Sequence, residues 1–503
     1  MLARAHTVAF LGVEARPVEV QCAIAPGLPS FQIVGLADKA VSESRERVRA
    51  ALTACGLALP PQRITVNLSP ADLPKAGSHY DLPIALALMA ALDVIPKDEA
   101  DGALALGELS LDGQIRAVQG ALPAALKAAE LDKGLVCPAG SGAEAAWVGG
   151  AEILAPDSLL ALVNHFRGTA ALPPPALGAV AARRPGADIS DVKGQEGARR
   201  ALEVAAAGNH NILMVGEPGS GKSMLAARLT SIMPPLSPRE ALEVSIIHSL
   251  ALEPGDGGMM RERPYRAPHH SASMAAMIGG GRNAKPSEIS LAHRGVLFLD
   301  ELPEFARPVL EALRQPIETG TAVVARAEAH VTYPARFLLA AAMNPCRCGY
   351  LGDPARACSR APKCGADYAA RLSGPLIDRF DIRIEVPPVT ADVLGLPAHQ
   401  DSSARVAARV ARARAAQADR AGAEPGDAPV TNGELEGEAL DRVSRPDDAG
   451  RQLLQAAAEK LRLSARGYHR VLRLARTLAD LEGVDAVRKV HVAEAVAYRR
   501  AMS

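Results

Sequence analysis

A short apolar run, Asn211-Ile-Leu-Met-Val215, leads directly into the glycine-rich segment Gly216-Glu-Pro-Gly-Ser-Gly-Lys222-Ser223. The apolar run predicts a buried strand and the residues after it predict a helix, so the glycines fall in the turn between them. Such a turn can point successive backbone N–H groups at phosphate oxygens, and the positive end of the helix dipole adds to the attraction. The segment therefore predicts an ATP-binding unit built on a strand, a loop and a helix.

Each residue type in this loop has an expected role. The Lys222 ammonium reaches the β- and γ-phosphates, and the Ser223 hydroxyl is a magnesium ligand. A glycine-rich turn with an incidental lysine and serine is the alternative, which the flanking strand and helix disfavour. The predicted ATP-binding residues are Gly216, Glu217, Pro218, Gly219, Ser220, Gly221, Lys222 and Ser223.

The composition limits the class of protein. A chain of 503 residues is too long for one hydrophobic core, and about 100–200 residues per domain predicts three or so units. A hydrophobic fraction of 48% and a charged fraction of 22% are typical of a soluble globular protein. The 56 basic and 56 acidic residues cancel, so any DNA-binding surface must come from local clustering of charge.

Neither a membrane segment nor a signal peptide is predicted. The longest strongly apolar run, Leu82–Leu92, is shorter than the roughly 18–20 residues that span a bilayer, and the first residues lack a clean signal-peptide core. Cys22, Cys55 and Cys137 are scattered singly, which is typical of free thiols in a reducing compartment. We expect a cytoplasmic protein without membrane contacts.

Two breaks in composition divide the chain. Residues 168–186 are rich in proline, alanine and glycine, and residues 421–432 are rich in glycine, proline and aspartate. Such segments are typical of linkers. The predicted domains are residues 1–167, a linker at 168–187, a core at 188–395, and a linker helix with a C-terminal domain at 396–503.

The predicted fold class is α/β with several domains. Before the first break, strands such as Ile64–Leu68 alternate with helical patterns such as Ser42–Leu52, which indicates an α/β or α+β domain. Between the breaks, helices alternate with short buried strands at Ile212–Val215, Gly295–Leu299 and Arg336–Ala342, as in a parallel sheet covered on both faces. After the second break the pattern is wholly helical.

Two acids follow the second of these core strands. Asp300 stands at the strand's carboxyl end and can hold the magnesium shell beside Ser223, while Glu301 can polarise the attacking water. Two acids after a strand are also common as a helix N-cap, so the prediction depends on their pairing with Lys222. Together the motifs predict ATP and Mg²⁺ as cofactors.

A polar amide and an arginine complete the predicted machinery. Asn344 ends the strand that begins near Arg336, where it could orient the water and sense the γ-phosphate. Arg379 lies in Asp378-Arg-Phe-Asp381, at a predicted helix-to-strand junction.

The order of these motifs along the chain resembles that of the AAA+ ATPases, and the arginine motif is similar to the finger-bearing motif of their MCM and magnesium-chelatase branch. The resemblance implies that Arg379 acts on a neighbouring subunit's ATP, and hence a ring, most simply a homo-hexamer; a surface salt bridge is the alternative for the arginine alone.

The segments between these motifs identify a family more narrowly than the motifs do. They are Tyr265-Arg-Ala-Pro-His-His-Ser-Ala-Ser273, Ile278-Gly-Gly-Gly-Arg282, Pro316-Ile-Glu-Thr-Gly320, Ser373-Gly-Pro-Leu376 and Ala475-Arg-Thr-Leu-Ala-Asp-Leu481. Together they resemble the magnesium-chelatase-like AAA+ family of YifB and ComM over nearly the whole chain. The resemblance implies an AAA+ P-loop core and a C-terminal helical lid, with Arg466 as its second sensor and Arg470 in reserve.

The N-terminal region is similar to the first domain of that family. The matching segments are Pro29-Ser-Phe-Gln-Ile-Val-Gly-Leu-Ala-Asp38, Asn67-Leu-Ser-Pro-Ala-Asp72, Tyr80-Asp-Leu-Pro-Ile-Ala85 and Gly107-Glu-Leu-Ser-Leu-Asp-Gly113. The resemblance implies the fold of the Lon protease domain, whose activity needs a serine nucleophile and a lysine base. Ser78 and Lys127 lie near the expected places but not at them. We therefore expect a Lon-like domain without proteolytic activity.

Two segments are candidates for contact with DNA. His269, His270 and Ser271 fall in the insert before the Asp-Glu strand, where related motors project a loop into the pore; a shared metal is disfavoured for adjacent histidines. The stretch Thr321–Tyr333 alternates in the β manner around a short turn and resembles a hairpin that helicases of this branch place against DNA. It would offer Arg326 and His330 to phosphates. A hairpin that only braces the sheet is the alternative.

Four cysteines, Cys346, Cys348, Cys358 and Cys364, follow Asn344 within nineteen residues. Four thiolates this close suit a closed tetrahedral zinc site, although the spacing is less diagnostic than two Cys-x2-Cys pairs. Free thiols are the alternative. A metal here is expected to support the loop after Asn344.

By its resemblance to the family, the chain is expected to be a ring-forming ATPase that moves along DNA. The finer expectation is a helicase that promotes branch migration during recombination in natural transformation, with single-stranded or branched DNA and recombination proteins as partners. The alternative is a chelatase-type motor that remodels a protein partner. A switch that binds ATP without sustained turnover is disfavoured by the intact Asp300, Glu301 and Arg379.

Overall fold

The computed structural model describes residues 1–178, 187–251, 259–280, 285–325, 330–351, 356, 359–395, 397, 399–422 and 430–500. The chain forms two compact units. The first comprises Met1–Ala182, Leu242–Met260 and Gly281–Pro286, and the second comprises Arg183–Ala241, Arg261–Gly280 and Ser287–Ser503.

The first unit is built on a seven-stranded mixed sheet. Its strands are β1 (Leu2–Leu11), β2 (Glu14–Ala25), β3 (Ser30–Val34), β4 (Arg63–Ser69), β5 (Ala103–Ala105), β8 (Gly134–Val136) and β9 (Ile153–Leu154), with β6 (Glu108–Leu109) and β7 (Ile115–Arg116) in a separate pair. The order across the sheet is β3-β4-β2-β1-β5-β8-β9. Buried and exposed positions alternate along β2 and β4, because one face of each strand packs on the core. The mixed α/β character confirms the sequence-based prediction.

Six helices are described in residues 1–178: α1 (Lys39–Ala54), α2 (Asp81–Ala91), α3 (Lys97–Gly102), α4 (Ala121–Glu130), α5 (Ala139–Ala145) and α6 (Leu159–Phe166). Every residue of α2 is buried, so the longest apolar run of the sequence is a core helix rather than a surface one. In the residues that the structure describes, no helix combines the length and the apolar character needed to cross a membrane.

The second unit is built on a five-stranded sheet whose strands all run parallel. Its strands are β10 (Ile212–Val215), β11 (Tyr265–Arg266), β12 (Val296–Leu299), β15 (Leu338–Met343) and β16 (Ile382–Glu385), in the order β11-β12-β15-β10-β16. A separate antiparallel hairpin joins β13 (Thr321–Ala325) to β14 (His330–Pro334), as the sequence predicts. Because the central strands are buried on both faces, they are continuous apolar runs.

Sixteen helices are described from residue 187 onward. They are α7 (Glu196–Gly208), α8 (Lys222–Ala227), α9 (Leu229–Ile232), α10 (Pro238–Ala251), α11 (Met274–Met277), α12 (Glu288–Leu291), α13 (Arg307–Ala312), α14 (Arg314–Thr319), α15 (Lys363–Ala369), α16 (Gly374–Ile377), α17 (Ala391–Leu394), α18 (Ser403–Ala421), α19 (Gly437–Val443), α20 (Asp448–Lys460), α21 (Ala465–Glu482) and α22 (Lys489–Arg500). Single 3₁₀ turns occur at Ser78–Tyr80, Ala146–Val148, Ile189–Asp191, Leu302–Glu304 and Asn432–Glu434.

The described residues after Asn432 contain helices and no strand, as predicted. Leu454, Leu474 and Val492, from three of these helices, are buried in the same hydrophobic cluster as Ile212 and Ile382 of the parallel sheet. The C-terminal helices of the second unit are therefore packed against its core.

Candidate active site

The glycine-rich segment joins strand β10 to helix α8, as the sequence predicts. Strand β10 ends at Val215 and α8 begins at Lys222. Gly221 caps the helix with a φ of +89°, a conformation that side chains with a Cβ rarely adopt. The loop residues between these points are therefore placed at the carboxyl edge of the parallel sheet.

The Lys222 side chain is buried inside this loop, only 7% exposed. Its ammonium donates to the carbonyls of Gly216 at 2.9 Å and Glu217 at 2.8 Å, and to Asn344 Oδ1 at 3.2 Å. Burial lowers the pKa of Lys222, and the negative charges of Asp300 and Glu301 only partly offset that effect. The three loop and strand-end contacts hold the charge at the centre of the loop.

Gln195, which sequence reasoning missed, supports the loop from outside. Its side-chain amide donates to the carbonyl of Ser220 at 2.7 Å and to that of Pro387 at 3.2 Å. The side chain is 3% exposed and immediately precedes helix α7. A polar residue just before a helix resembles an ordinary cap, so no local signal distinguishes this role.

Asp300 directly follows β12 and lies beside Ser223. The Ser223 hydroxyl donates to Asp300 Oδ2 at 2.6 Å, although the two residues are 77 positions apart in sequence. Asn344 directly follows β15, the strand between β12 and β10. Because parallel strands end at one edge of the sheet, these residues and Lys222 form one cluster.

Glu301 is held close to a histidine of the preceding segment. His270 Nδ1 lies 3.4 Å from Glu301 Oε2, and the His270 ring meets Phe305 edge-on, with ring centroids 6.4 Å apart. Glu301 has a φ of +51°, in the left-handed region. The preceding histidine, His269, instead contacts the Ser271 hydroxyl at 2.8 Å. Of the two adjacent histidines, His270 is thus the one that lies beside the predicted catalytic Glu301.

Arg379 and Arg466 lie at the opposite edge of the same sheet. Arg379 precedes β16 by three residues, is 3% exposed, and pairs with the carboxylate of Glu318. Arg466, at the start of α21, lies 3.8 Å from the same carboxylate. Glu318 belongs to the segment Pro316–Gly320, and no sequence pattern indicates its contact with either arginine.

A polar cavity of about 640 Å³ surrounds these residues. The arginines that line it are Arg336, Arg379, Arg466, Arg470 and Arg473. The carboxylates that line it are Glu318, Asp381, Glu434 and Glu436, and each of them pairs with one of these arginines, so most of the charge in the cavity is neutralised within the chain. The predicted second sensor, Arg466, therefore lies with the predicted finger rather than beside Lys222.

Arg470, the reserve candidate for the sensor, has a structural contact. Its guanidinium lies 2.5 Å from Asp381 Oδ1 and donates to the carbonyl of Arg379 at 3.0 Å. Burial disfavours the charge of Asp381, but Arg470 and His210 more than offset this, so the pKa of Asp381 is well below its usual range. Arg470 thus joins helix α21 to the Asp378–Asp381 motif.

The arginines of helix α18 also make contacts within the chain. Arg409 pairs with Glu203, and Arg414 is buried and donates to the carbonyl of Ala206 at 2.7 Å. Both side chains are therefore bound within the chain rather than free on a solvated helix face.

The predicted contacts with DNA are only partly described. Arg326 lies outside the described residues, and of His330 only the backbone is described, paired with Ala325 in the hairpin. Cys358 also lies outside them, whereas the sulfur atoms of Cys346, Cys348 and Cys364 all lie within 4.8 Å of one another.

In the first unit, Ser78, Asp81 and Lys127 each form a polar or charged pair. Asp81 is fully buried, and its carboxylate accepts from the guanidinium of Arg47 at 2.6 Å and 2.9 Å. Ser78 donates to Glu108, and Lys127 pairs with Glu130. The Asp81 carboxylate is thus held in a bidentate ion pair, and Ser78 and Lys127 are each bound to a carboxylate.

A phosphate-binding loop, two strand-terminal acids and an amide at the carboxyl edge of a parallel sheet are the arrangement typical of P-loop nucleoside triphosphatases. Comparison with known proteins agrees with this class. Residues 188–394 match the family model described as magnesium chelatase, subunit ChlI, and residues 18–141 and 400–499 match models for the same subunit and its C-terminal part. The three matches cover most of the chain.

Individual relatives narrow the assignment. The chain is 42% identical to the uncharacterized protein YifB of Salmonella typhimurium, over 99% of this chain and 97% of that protein. It is also 42% identical to the competence protein ComM of Haemophilus influenzae, again over 99% and 97% of the two chains. The magnesium-chelatase 38 kDa subunit of Rhodobacter capsulatus is 28% identical over 61% of this chain and 85% of its own. The chain belongs to the magnesium-chelatase-like family of AAA+ ATPases that includes YifB and ComM.

Proposed function

We propose that this chain is the subunit of a ring that hydrolyses ATP between neighbouring copies and uses the energy to move along DNA. The observation that carries the proposal is the position of the two sets of charged residues in the second unit. Lys222, Ser223 and Asp300 lie at the carboxyl edge of the sheet, whereas Arg379 and Arg466 lie at its amino edge. A nucleotide can contact both sets only if two chains contribute.

The residues at the carboxyl edge suit ATP and Mg²⁺. A serine hydroxyl and a carboxylate oxygen 2.6 Å apart are hard oxygen ligands of the kind that magnesium prefers. Mg²⁺ would neutralise charge on the phosphate oxygens while Lys222 contacts the β- and γ-phosphates. Glu301 would accept a proton from the attacking water, and Asn344, already bonded to Lys222, would orient that water.

The residues at the amino edge suit the transition-state charge of a neighbouring site. The Arg379 guanidinium is bonded to Glu318, and its Nε has no hydrogen-bond partner in the described part of the chain. Transfer of Arg379 from Glu318 to a γ-phosphoryl group would exchange one anion for a more highly charged one. Arg466, which is 68% exposed, can reach the same anion with less rearrangement.

Mixed rings test whether the site is shared. Lys222→Ala and Arg466→Ala subunits, each inactive alone, are combined before assembly. If sites lie between chains, random mixing pairs an intact Lys222 with an intact Arg466 at about one quarter of the interfaces, so ATPase activity returns to that extent. Assembled mixed rings without any recovery would contradict the proposal. Arg466 is used first because it is exposed, and Arg379→Ala extends the test.

The proposed substrate is DNA, and branch migration during recombination in natural transformation is the finer form of the proposal. One relative of nearly the same length bears the name competence protein, and the hairpin of β13 and β14 provides a place for contact with a strand. His269, His270, Ser271, Arg326 and His330 remain the proposed DNA contacts. Recombination proteins are proposed partners, and a hexamer is the proposed assembly.

A three-stranded junction assay tests this form directly. The wild-type ring should move the junction and single-stranded DNA should raise its ATPase rate, whereas Lys222→Ala should do neither. An assembled, ATP-hydrolysing ring that ignores DNA would instead favour a motor that remodels a protein partner, as the similarity to the magnesium-chelatase subunit suggests.

The remaining assignments complete the proposal. We propose that residues 1–167 form a Lon-like domain without proteolytic activity; the partners of Ser78 and Lys127, which are Glu108 and Glu130, support this because neither residue pairs with the other. The core spans 188–395 after a linker at 168–187, and residues 396–503 form a helical lid. Structural Zn²⁺ at the cysteine cluster is the third proposed cofactor, after ATP and Mg²⁺.

A further inference from the structure

The loop that joins strand β15 to helix α15 brings three cysteines together. Cys346 and Cys348 lie just after the strand and Cys364 is in the first turn of α15, yet their sulfur atoms lie within 4.8 Å of one another. Cys346 is fully buried, and its sulfur lies 3.0 Å from that of Cys348 without a disulfide between them. Cys364 is sixteen or more positions from the other two cysteines in sequence, yet its sulfur atom lies close to theirs.

This donor set fits a soft divalent metal. Zinc binds thiolate sulfur at about 2.3 Å, which places the sulfurs of a tetrahedral site about 3.8 Å apart. The sulfurs of Cys346 and Cys348, now 3.0 Å apart, would separate by less than about 1 Å on binding, and every pair of the three already lies within 4.8 Å. Sulfur ligands disfavour magnesium and calcium, which take oxygen. Cys358, the fourth ligand expected from the sequence, lies outside the described residues, and the other three supply three of the four sulfur ligands of a tetrahedral site.

The same loop lies directly on the phosphate-binding loop. Gly349 has a φ of +88°, and a Cβ added to it would lie 2.4 Å from Pro218 Cγ, closer than atoms can pack. The Gly349 amide donates to the carbonyl of Cys346 at 3.0 Å, so this turn includes a residue of the cysteine cluster. The first residues of the loop therefore carry both a cysteine of the cluster and the contact with Pro218.

A second connection runs through Asn344. Its amide oxygen accepts from Lys222 Nζ at 3.2 Å, and Cys346 follows it by two residues. Gly365, beside Cys364, approaches the carbonyl of Pro345, which lies between Asn344 and Cys346. The loop thus meets the ATP site at Pro218 and at Asn344.

We propose that Cys346, Cys348 and Cys364 bind a zinc ion whose occupancy sets the position of Asn344 and of the phosphate-binding loop, so that ATP turnover depends on the metal. This dependence rests on the proposed ATPase function, whereas the metal site does not. Loss of zinc should mainly lower kcat, because Lys222 and the loop amides still hold ATP while the groups that orient the reaction are displaced.

The metal site is tested without any activity measurement. Purified full-length protein should contain about one zinc per chain by elemental analysis, and Co²⁺ exchanged into it should give the thiolate-to-cobalt absorption of a tetrahedral sulfur site. Cys346→Ser and Cys364→Ser should lose the zinc. The control, Cys55→Ser, replaces a partly buried cysteine in the first unit and should keep it. Zinc-supplemented wild type without bound zinc, or cluster variants that retain it, would overturn the site.

The link to the ATP site needs a variant that keeps every cysteine. Gly349→Ala should bind zinc like wild type but lower kcat about tenfold or more, with KM for ATP changed less than about threefold. Cys364→Ser should show the same split, and circular dichroism checks that both variants are folded. Full turnover in zinc-free protein, or in Gly349→Ala, would overturn the coupling. Bound zinc together with wild-type protein that hydrolyses no ATP would overturn the proposed function and leave the metal site standing.

Discussion

The carboxylate of Glu318 pairs with the guanidinium of Arg379, although Glu318 is 47% exposed and Arg379 only 3%. The arginine is therefore shielded from solvent while its counter-ion is not. A single half-exposed carboxylate neutralises the predicted arginine finger and also lies near Arg466. Any role of Arg379 outside its own chain requires this pair to open.

Glu318→Gln removes the charge and keeps the shape of the side chain. Because Arg379 then remains buried without its counter-ion, we expect the free energy of unfolding to fall by about 1–2 kcal/mol, less than for a fully buried pair. Urea unfolding measures the change. The control is Glu311→Gln, which removes a partly exposed partner of Arg314 and should cost under about 0.5 kcal/mol. Equal losses in both variants would contradict the special position of Glu318.

Asp300→Asn tests the magnesium ligand. The amide keeps a contact with Ser223 but lacks the charge that attracts the cation, so the Mg²⁺ concentration for half-maximal ATPase activity should rise about tenfold or more. Asp191→Asn, which alters a partly exposed pair with Arg228, is the control and should leave the magnesium titration unchanged. An unchanged titration in Asp300→Asn would remove this residue from the metal site.

Glu301→Gln should abolish turnover and spare ATP binding. Loss of a general base typically lowers kcat about 10²–10⁴-fold, while the contacts of Lys222 with the phosphates remain. Nucleotide binding by fluorescence and ATPase kinetics measure the two separately. Glu304→Gln, three residues later and paired with Arg371, is the control and should turn over normally. Residual turnover near wild type would assign the base elsewhere.

His270→Ala should lower kcat by a smaller factor, about three- to tenfold, without a matching change in KM for ATP. The reason is that His270 lies 3.4 Å from Glu301 and fixes its direction without contacting the phosphate-binding loop in any described hydrogen bond. His270→Gln can still donate to Glu301 and should recover part of the rate. If both substitutions reduce kcat equally, orientation of Glu301 is not the role of His270.

The depressed pKa of Asp381 should make the free energy of unfolding depend on pH. Its pKa is depressed in the folded chain, so its contribution is complete above the unfolded value near 3.9 and is lost as pH falls through the folded pKa. The difference in unfolding free energy between wild type and Asp381→Asn should therefore be constant above about pH 5 and shrink below about pH 4. Unfolding at a series of pH values measures it. A difference that grows on acidification would contradict the assignment.

The strand ends of the site could be predicted from sequence because a parallel sheet brings them to one edge. Lys222, Asp300 and Asn344 each follow an apolar run, and the structure places them together. Gln195 and Glu318 could not be found in this way, because their partners are set by tertiary packing and not by local periodicity. The same reason explains Arg414, whose burial among helices is not evident from a run of arginines.

In the first unit, too, the sequence pattern predicts the regular elements but not the contacts between distant residues. Strand Ile64–Leu68 and helix Ser42–Leu52 are observed as Arg63–Ser69 and Lys39–Ala54, so the periodic pattern located both elements and missed only their ends. The buried pair of Asp81 with Arg47 joins residues 34 positions apart and has no local pattern. Contacts between charged residues that are distant in sequence could therefore not be predicted from the sequence.

The pairing of Asp381 with Arg470 has a consequence for synthesis of the chain. The two residues are 89 positions apart, so the carboxylate leaves the ribosome long before the cation that neutralises it. Until helix α21 is complete, the buried carboxylate beside β16 would lack its guanidinium partner and keep, among the described residues, only His210 and the Asn211 amide. Nascent chains and fragments that end before Arg470 are accordingly expected to be substrates for chaperones and proteases, and this part of the protein should acquire its stable form only near the end of translation.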